Sequence, residues 1–570
     1  MNEKFDVIVV GGGTAGCVVA SRLSENPDCS VLLIEAGHDY PTRSAVPHGV
    51  LDARYVPMRG HAPEFDPDHD WGLNAVGQGG AKISVPQAKI IGGGSAINGM
   101  IALRGATADY AEWEALGNPD WTWERVLPTF REIEDDTAPG PGIHGRGGPT
   151  TIARADEHEY APLQKAFIES CRAVGQPDAW DLNSPDAHGC GPAPMTRVGT
   201  RRLSTAESHL EFARCRTNLT VRGDTLVNRV LFLPSAADSE ELPVAHAVEL
   251  QDGTVLEARE IIVTAGAIIT PALLQRSGIG PARLLGDLGI SVVADLPVGE
   301  NLGDHFSVPL LAAPREGAWH LDDFSLQTVL RTSTSVQPYS LDAQLTMFSY
   351  LNVRTTAAGT RGLAGEGTEG LENVAGMGCV LNKPRSVGSV RIISTDPNQL
   401  PLVDPNYLDK QVDRDAIREI VRLGWSILRS EPLAGMLHEP IGMDQHTIDD
   451  DIALDAAIEK KTASGYHFTG TCMMAPRSRG GVVDQQGLVY GVAGLRIADA
   501  SVIPTPPAAN SMLTTIMTAE RISKCAREAH ITAETPSLAA SESTPILSAP
   551  APARSVESVQ SDMYVEAAHE

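Results

Sequence analysis

The chain lacks what several protein classes require. Aromatic residues make up only 5% of its 570 positions, and its eight cysteines are scattered with no C-x-x-C pair, far too sparse for a disulfide scaffold or a zinc ribbon. Positive charge is short as well: 45 Lys plus Arg against 72 Asp plus Glu leave a net charge of -27, which repels phosphate backbones and anionic lipid. No apolar run approaches the roughly 18 residues of a membrane helix, and residues 1–6 have neither the basic region nor the apolar stretch of a secretory signal. These absences exclude nucleic acid as a partner and a membrane span, and with the cysteine usage they predict a cytoplasmic protein. Nothing in the sequence specifies an oligomeric state.

Gly (54) and Pro (39) are plentiful, which suits a loop-rich α/β enzyme. Residues 5–10 read F-D-V-I-V-V, a buried-strand run, followed by Gly11-Gly12-Gly13-Thr14-Ala15-Gly16, a helical stretch over 17–24 and a second strand run over 30–35. The order is that of one βαβ unit of a doubly wound sheet. Within it, Gly11 permits a tight turn, Gly13 lets the backbone approach a pyrophosphate, and Gly16 lets helix and strand pack closely. Thr14 and Ala15 open the helix whose N-terminus stabilises phosphate charge. Glu35, with Ala36 after it, ends the second strand, where a carboxylate accepts bonds from ribose hydroxyls and repels a 2'-phosphate. This fingerprint predicts a dinucleotide site and leaves FAD and NAD open.

Further along, 36–89 reads as a long loop excursion. Helices are predicted over 111–116, 123–133 and 163–174, and 175–200 is rich in Pro, Asp and Gly. Strands are predicted over 219–233 and 247–265, split by an acidic loop at 235–241, with 261–264 a buried parallel strand. Alternation over 339–351 and 387–393 predicts half-buried antiparallel strands of a second sheet. The Gly-rich 359–370 is a surface loop or a flap, and 534–570, dominated by Ser, Ala, Pro and Glu, is too poor in large apolar residues to order. The remaining histidines of the early loops (His38, His48, His61, His69) lack metal-ligand spacing, so no metal site is expected.

Three segments decide between the dinucleotides. A-K-I-I-G-G-G-S-A-I-N-G-M-I (88–101), G-A-I-I-T-P-A-L-L-Q-R-S-G-I-G (266–280), and the C-terminal G-Y-H-F-T-G-T-C-M-M (465–474) with L-R-I-A-D-A-S-V-I-P (495–504) and Asn510 resemble the glucose-methanol-choline (GMC) family of FAD-dependent oxidoreductases. With K-P-R-S-x-G-S-V (383–390), the resemblance spans about residues 4–530. It implies FAD as cofactor, with Gly92, Gly94, Asn98, Gly99, Met100 and Ile101 over the flavin, Trp71 in the FAD channel, Val227 at the adenine, Tyr466 against the ring, and Asp499-Ala500 over the pyrophosphate and ribityl chain. Some members attach FAD through a histidine two residues after the serine; here that position is Ile97, which implies a non-covalent cofactor. The G-E-N-L-x-D-H pattern at 299–305 also matches, and His305 reads as part of a packed structural loop.

Oxidising an alcohol through flavin requires loss of the hydroxyl proton and transfer of a hydride to N5. By the resemblance His467 is the base, and imidazole, whose ordinary pKa is about 6.5, suits that role. Asn510 takes the second active-site position, where an amide hydrogen-bonds the alcohol oxygen without acting as a base. The implied reaction is oxidation of an alcohol, foremost a primary alcohol to its aldehyde, with O2 or another carrier accepting electrons; the alternative is an FAD-containing hydroxynitrile lyase of the same fold. The predicted architecture is α/β: a discontinuous Rossmann-like FAD domain (1–155, 201–306 and 461–532, the last with the catalytic residues), a substrate domain with an antiparallel sheet (156–200 and 307–460), and a disordered tail (533–570).

Overall fold

The strands Lys4–Val10 and Val31–Ile34 carry the β-branched and leucine runs that the sequence places there, and Val7, Ile8, Val9 and all of Val31–Ile34 are buried. Burial on both faces is what a parallel strand covered by helices requires. Each such side chain contributes about 1.5–3 kcal/mol of transfer free energy. The computed structural model describes residues 3–56, 67–138, 142–233, 241–337, 341–353, 368 and 370–534. Most of the Gly-rich 359–370, most of the acidic loop 235–241, and the tail from 535 onward lie outside the described residues.

The first sheet runs in the order Leu219–Arg222, Val31–Ile34, Lys4–Val10, Val255–Val263, Val244–Leu250, Val227–Leu233. Strand Val255–Val263 divides one edge between two neighbours. Its first residues pair antiparallel with Val244–Leu250, and Ile261, Ile262 and Val263 pair parallel with Leu495, Arg496 and Ile497. The parallel reading of 261–264 holds, and residues more than 200 positions apart become neighbours. Helices occur at Thr107–Ala115, Trp123–Ile133 and Pro162–Ala173, close to their sequence-based bounds.

The second sheet is antiparallel throughout: Leu437–Pro440, Phe306–Pro314, Asn373–Leu381, Ala343–Asn352, Thr328–Thr332 and Gly189–Pro192, with Ala463–Ser464 pairing Phe306–Pro314. Two features depart from the sequence reading. Strand Ala343–Asn352 is buried on both faces rather than one, because helix Gln411–Leu428, with Pro162–Ala173 beside it, packs on the Leu345 and Met347 face and the walls of a cavity close over the other. That helix presses so close at Gly424 that an added Cβ would sit 2.6 Å from Cys379 Sγ and 3.0 Å from Leu310 Cδ1. The predicted strand at 387–393 forms only as Ser389–Arg391, and it joins a separate four-stranded sheet with Leu402–Asp404, Asn74–Val76 and Lys82–Ser84. Alternation reports a half-buried strand but carries no information about its partner.

With period two, Leu345 and Met347 pack in the cluster beneath the helix, while Gln344, Thr346 and Phe348 turn to the opposite face. The chain through Arg527 is one compact unit; residues 528–570 form a second, whose described part is the end of helix Ser511–Glu534.

Candidate active site

The parallel strands of the first sheet all deliver their C-terminal ends to one cavity of about 280 Å³: Gly11 and Gly13 after the first strand, Glu35 and Ala36 after the second, Thr264–Gly266 after Val255–Val263, and Asp499 after Leu495–Ile497. Ligands of open α/β sheets bind at this edge. The cavity's other wall is the face of the antiparallel sheet turned away from helix Gln411–Leu428, where Ser307, Gln344, Thr346, Phe348, Gly378 and Val380 line it. These are cross-strand neighbours, since Ser307 and Gln344 both lie opposite Val380 and Thr346 lies opposite Gly378.

The glycines of the turn divide by what surrounds them. A Cβ on Gly16 would lie 1.9 Å from the Gly11 carbonyl oxygen, so the protein itself demands glycine there. Gly11 has φ +103°, and its added Cβ would meet the Ala265 backbone at 2.7 Å. Gly13 is different: nothing lies closer than 3.8 Å to an added Cβ, and the space it leaves is the cavity. Helix Thr14–Leu23 begins at that point with its N-terminus on the cavity. Glu35 is buried, and its two carboxylate oxygens each accept one backbone N–H, from Gly12 at 2.8 Å and Gly37 at 2.8 Å. Burial raises its pKa to about 7 against those donors.

At the opposite end of the cavity lies a string of hydrogen bonds whose polarity is fixed by its first member. The Pro507 carbonyl can only accept, so His305 Nε2, 2.8 Å away, carries the proton. Burial, reinforced by the neighbouring His467, holds His305 well below the ordinary imidazole range, so the ring is neutral and its Nδ1 is an acceptor. His467 Nδ1, 2.9 Å from it, is therefore the donor, which leaves His467 Nε2 with a lone pair. Asn510 Nδ2 donates to that lone pair at 3.2 Å, and Asn510 Oδ1 accepts from Gln344 Nε2 at 3.3 Å. One carbonyl thus sets the tautomer of two imidazoles and the orientation of two amides.

Both ends of the string are braced. Asp304, buried and raised to about 7 by that burial, accepts from the His467 backbone N–H at 2.7 Å, from Ser464 Oγ at 2.6 Å and from the Tyr407 hydroxyl. Tyr466 is held at φ +64° beside His467, a conformation that persists only when its surroundings impose it. On the other side, three successive carbonyls each receive a buried donor: Pro506 from Lys383 Nζ at 2.8 Å, Pro507 from His305, and Ala508 from Arg331 Nη2 at 2.9 Å. Asp109 Oδ2 accepts from the Ala508 N–H at 2.7 Å. The turn that delivers Asn510 to helix Ser511–Glu534 is thereby fixed.

Of the residues singled out in the sequence, Gly11, Gly13, Thr14, Ala15, Glu35 and Ala36 line the cavity at one end. Trp71, Gly94, Asn98, Gly99, Ile101 and Val227 line it as well, and so do Tyr466, His467, Asp499, Ala500 and Asn510. Gly16, Gly92 and Met100 do not. Gly16 is packed as described. Gly92 N donates to the Gly12 carbonyl at 2.8 Å, and Met100 is buried in a cluster with Leu326 and Phe348. His305, read from sequence as part of a packed loop, is buried in one but also holds His467. Its adjacency to the G-Y-H motif is created by pairing of Phe306 with Ser464 and Ser307 with Ala463. The wall residues Gln344, Thr346 and Phe348 were also missed, although their i, i+2, i+4 spacing within an alternating segment marks them as one face.

Away from the cavity, Glu134, Asp136 and His144 bring ligand-type atoms within 4.8 Å of one another. Arg104 Nε lies 2.9 Å from Glu134 Oε1 and Arg154 Nη1 2.5 Å from Asp136 Oδ1. The arginines already supply the positive charge a cation would bring, which makes the cluster an ion-pair network.

Two family models, both described as GMC oxidoreductase, match residues 5–307 and 384–519. The chain belongs to the GMC oxidoreductase family. Relatives of this GMC oxidoreductase include a 5-(hydroxymethyl)furfural oxidase of a Methylovorus species, 33% identical over 91% of this chain and 98% of the relative. An oxygen-dependent choline dehydrogenase of Photobacterium profundum is also 33% identical, over 91% of this chain and 92% of the relative. Among solved structures, a pyridoxine 4-oxidase from Mesorbium loti superposes with a TM-score of 0.79 at 27% identity, covering 92% of this chain and 99% of that one. The cofactor of this GMC oxidoreductase is FAD, and the residues present fit it. Gly13 leaves open the space a phosphate backbone needs, a helix N-terminus faces that space, and each oxygen of Glu35, holding one backbone N–H, retains acceptor capacity for ribose hydroxyls. Among the described residues no helix is long and apolar enough to cross a membrane.

Proposed function

We propose that this GMC oxidoreductase oxidises a primary alcohol to its aldehyde, with His467 as the base. The observation that carries the reading is the fixed polarity of the string from Pro507 to Gln344, which leaves the lone pair of His467 Nε2 within the cavity beside the Asn510 amide. On binding, the substrate hydroxyl takes the place of the Asn510 N–H at His467 Nε2; its proton passes to that nitrogen, and the carbon–oxygen bond becomes a carbonyl as the carbinol hydrogen leaves with its electron pair. Bound FAD supplies the two-electron acceptor for that hydride. As His467 becomes an imidazolium, its Nδ1–H keeps its acceptor in His305, and the buried, neutral His305 adds no opposing charge. The Asn510 amide N–H stabilises the developing alkoxide.

We assign the bracing of FAD to Gly11, Gly13, Thr14, Ala15, Glu35 and Ala36 at the adenosine and pyrophosphate end. Asn98, Gly99, Ile101 and Tyr466 hold the ring end, with Val227, Trp71, Asp499 and Ala500 along the channel. Attachment is non-covalent: Ile97 stands two residues after Ser95, and among the described residues lining the cavity His467 is the one histidine and no cysteine occurs. We assign residues 1–155, 201–306 and 461–532 to the FAD domain and 156–200 and 307–460 to the substrate domain.

The test is the visible absorbance of the anaerobic holoenzyme as primary alcohols are added, followed by admission of air. Bleaching by an alcohol supports the reading, and the rate at which colour returns separates an oxidase from a dehydrogenase. A holoenzyme that no primary alcohol bleaches overturns it.

A further inference from the structure

The end of the cavity around His467 is polar but uncharged. Its sheet wall presents Ser307, Gln344 and Thr346 among Leu326, Phe348 and Val380. Among the described residues, no lysine or arginine lines the cavity. Its carboxylates, Glu35 and Asp499, belong to the opposite wall, where they already accept backbone N–H groups from Gly12 and Gly37 and from Gly266 and Ser501. A charged substrate group brought here would lose its water without gaining a counter-charge.

Gln344 is a polar residue on this wall whose carbonyl oxygen has unused acceptor capacity. The polarity of the string commits its Nε2 as a donor, to Asn510 Oδ1 at 3.3 Å and to Thr346 Oγ1 at 3.1 Å. Its Oε1 is buried and has no hydrogen-bond partner among the described residues. A buried acceptor without a donor is destabilising until something supplies one, and this acceptor belongs to the amide bonded to Asn510, one link from the base.

We propose that the substrate is an uncharged alcohol carrying a second hydrogen-bond donor, a hydroxyl or N–H, which Gln344 Oε1 accepts while the carbinol lies at His467 and Asn510. Gln344 is then the residue that selects among alcohols. The inference rests on the alcohol-oxidation reading for its turnover readout, so the test has a binding arm that does not.

In the turnover arm, the holoenzyme is given terminal butanediol, its mono-methyl ether, choline and hydroxybutyrate. The diol is expected to exceed its ether by about 10-fold in kcat/KM, chiefly through KM, as loss of one hydrogen bond at a buried acceptor implies. Choline and hydroxybutyrate fall below both. In Gln344→Met the diol-to-ether ratio collapses to near unity, whatever happens to kcat through Asn510. A ratio that survives in Gln344→Met, or a charged alcohol oxidised as well as the diol, overturns the inference. In the binding arm, calorimetry compares dimethylhexanediol, whose tertiary carbinols cannot be oxidised, with its mono-methyl ether. Preference for the diol that vanishes in Gln344→Met supports the role of Gln344 even if no alcohol is turned over, which would defeat the proposed function alone. Equal binding of diol and ether overturns the inference.

Discussion

His305 and His467 meet nitrogen to nitrogen, their Nδ1 atoms 2.9 Å apart, and His467 is the donor because the ring proton of His305 is held by Pro507. The bond persists when His467 Nε2 takes a proton, so the Nδ1–H keeps its acceptor in the charged form. His305→Leu removes the acceptor. Its kcat is expected to fall about 10-fold, the tautomer of His467 no longer being set, and the acid limb of the kcat/KM profile should move to lower pH. His305→Asn, which retains an acceptor oxygen, should recover part of both. An acid limb that stays in place in His305→Leu would show that His305 is only packing.

That pair also marks where sequence reading stopped. The turn 11–16, Glu35, His467 and Asn510 were legible because their chemistry is local: a strand, glycines at fixed offsets, a motif. His305 lies 162 positions from His467, and long-range contacts join them: the pairing of Phe306–Pro314 with Ala463–Ser464, the Gly303–Thr469 bridge and the Asp304 carboxylate on the His467 N–H. The same reason explains the strand at 387–393, whose partner, Leu402–Asp404, carries no mark of it in the alternation. Gln344 was concealed differently, since a polar residue on an alternating strand reads as solvent-facing until a second wall covers it.

Removing the base tests the site most directly. His467→Ala is expected to lower the rate of flavin reduction by roughly 100- to 10,000-fold while FAD remains bound, because no FAD-bracing group is lost. Single-turnover reduction checks the rate and the absorbance of the purified variant checks the cofactor. Wild-type reduction in His467→Ala would remove His467 from the mechanism.

The glycines of the turn should fail in different ways. Gly13 has φ −72°, which alanine adopts freely, and its added methyl would fill only cavity. Gly13→Ala is expected to fold with its apo-protein melting temperature unchanged and to bind FAD at least about 10-fold more weakly. In Gly16→Ala the methyl meets the Gly11 carbonyl, and overpacking of this kind costs about 1–3 kcal/mol or more, so stability falls with or without FAD. If Gly13→Ala bound FAD as tightly as the wild type, the phosphate cradle would lie elsewhere.

Asn510→Asp replaces a donor to His467 Nε2 with a carboxylate 3.2 Å from the same nitrogen. An adjacent negative charge favours the imidazolium by about 1–3 pKa units, so the acid limb of kcat/KM should move up in pH, opposite to His305→Leu. Asn510→Ala removes the donor without adding charge and should lower kcat with a smaller displacement of the limb. Displacement of the limb in the same direction by Asn510→Asp and His305→Leu would contradict the polarity of the string.

The ion-pair network outside the cavity makes stability depend on pH. Burial alone would lower the pKa of His144, but its ion pairs with Asp136 (3.2 Å) and Asp181 (2.9 Å) outweigh burial and raise it to about 9. A group whose pKa is raised on folding stabilises fully below its unfolded value, near 6.5, and the contribution is lost as pH climbs through 9. The shift corresponds to about 3 kcal/mol. On the acid side, Asp181, lowered to about 2 by His144, Ser184 and Arg154 in spite of burial, contributes above its ordinary range, and that contribution disappears as pH falls through 2. The wild type should therefore lose melting temperature between pH 6.5 and 9, and His144→Gln, already destabilised at pH 6.5, should lose markedly less over the same interval. Parallel declines in the two proteins would show that the alkaline loss arises at other groups.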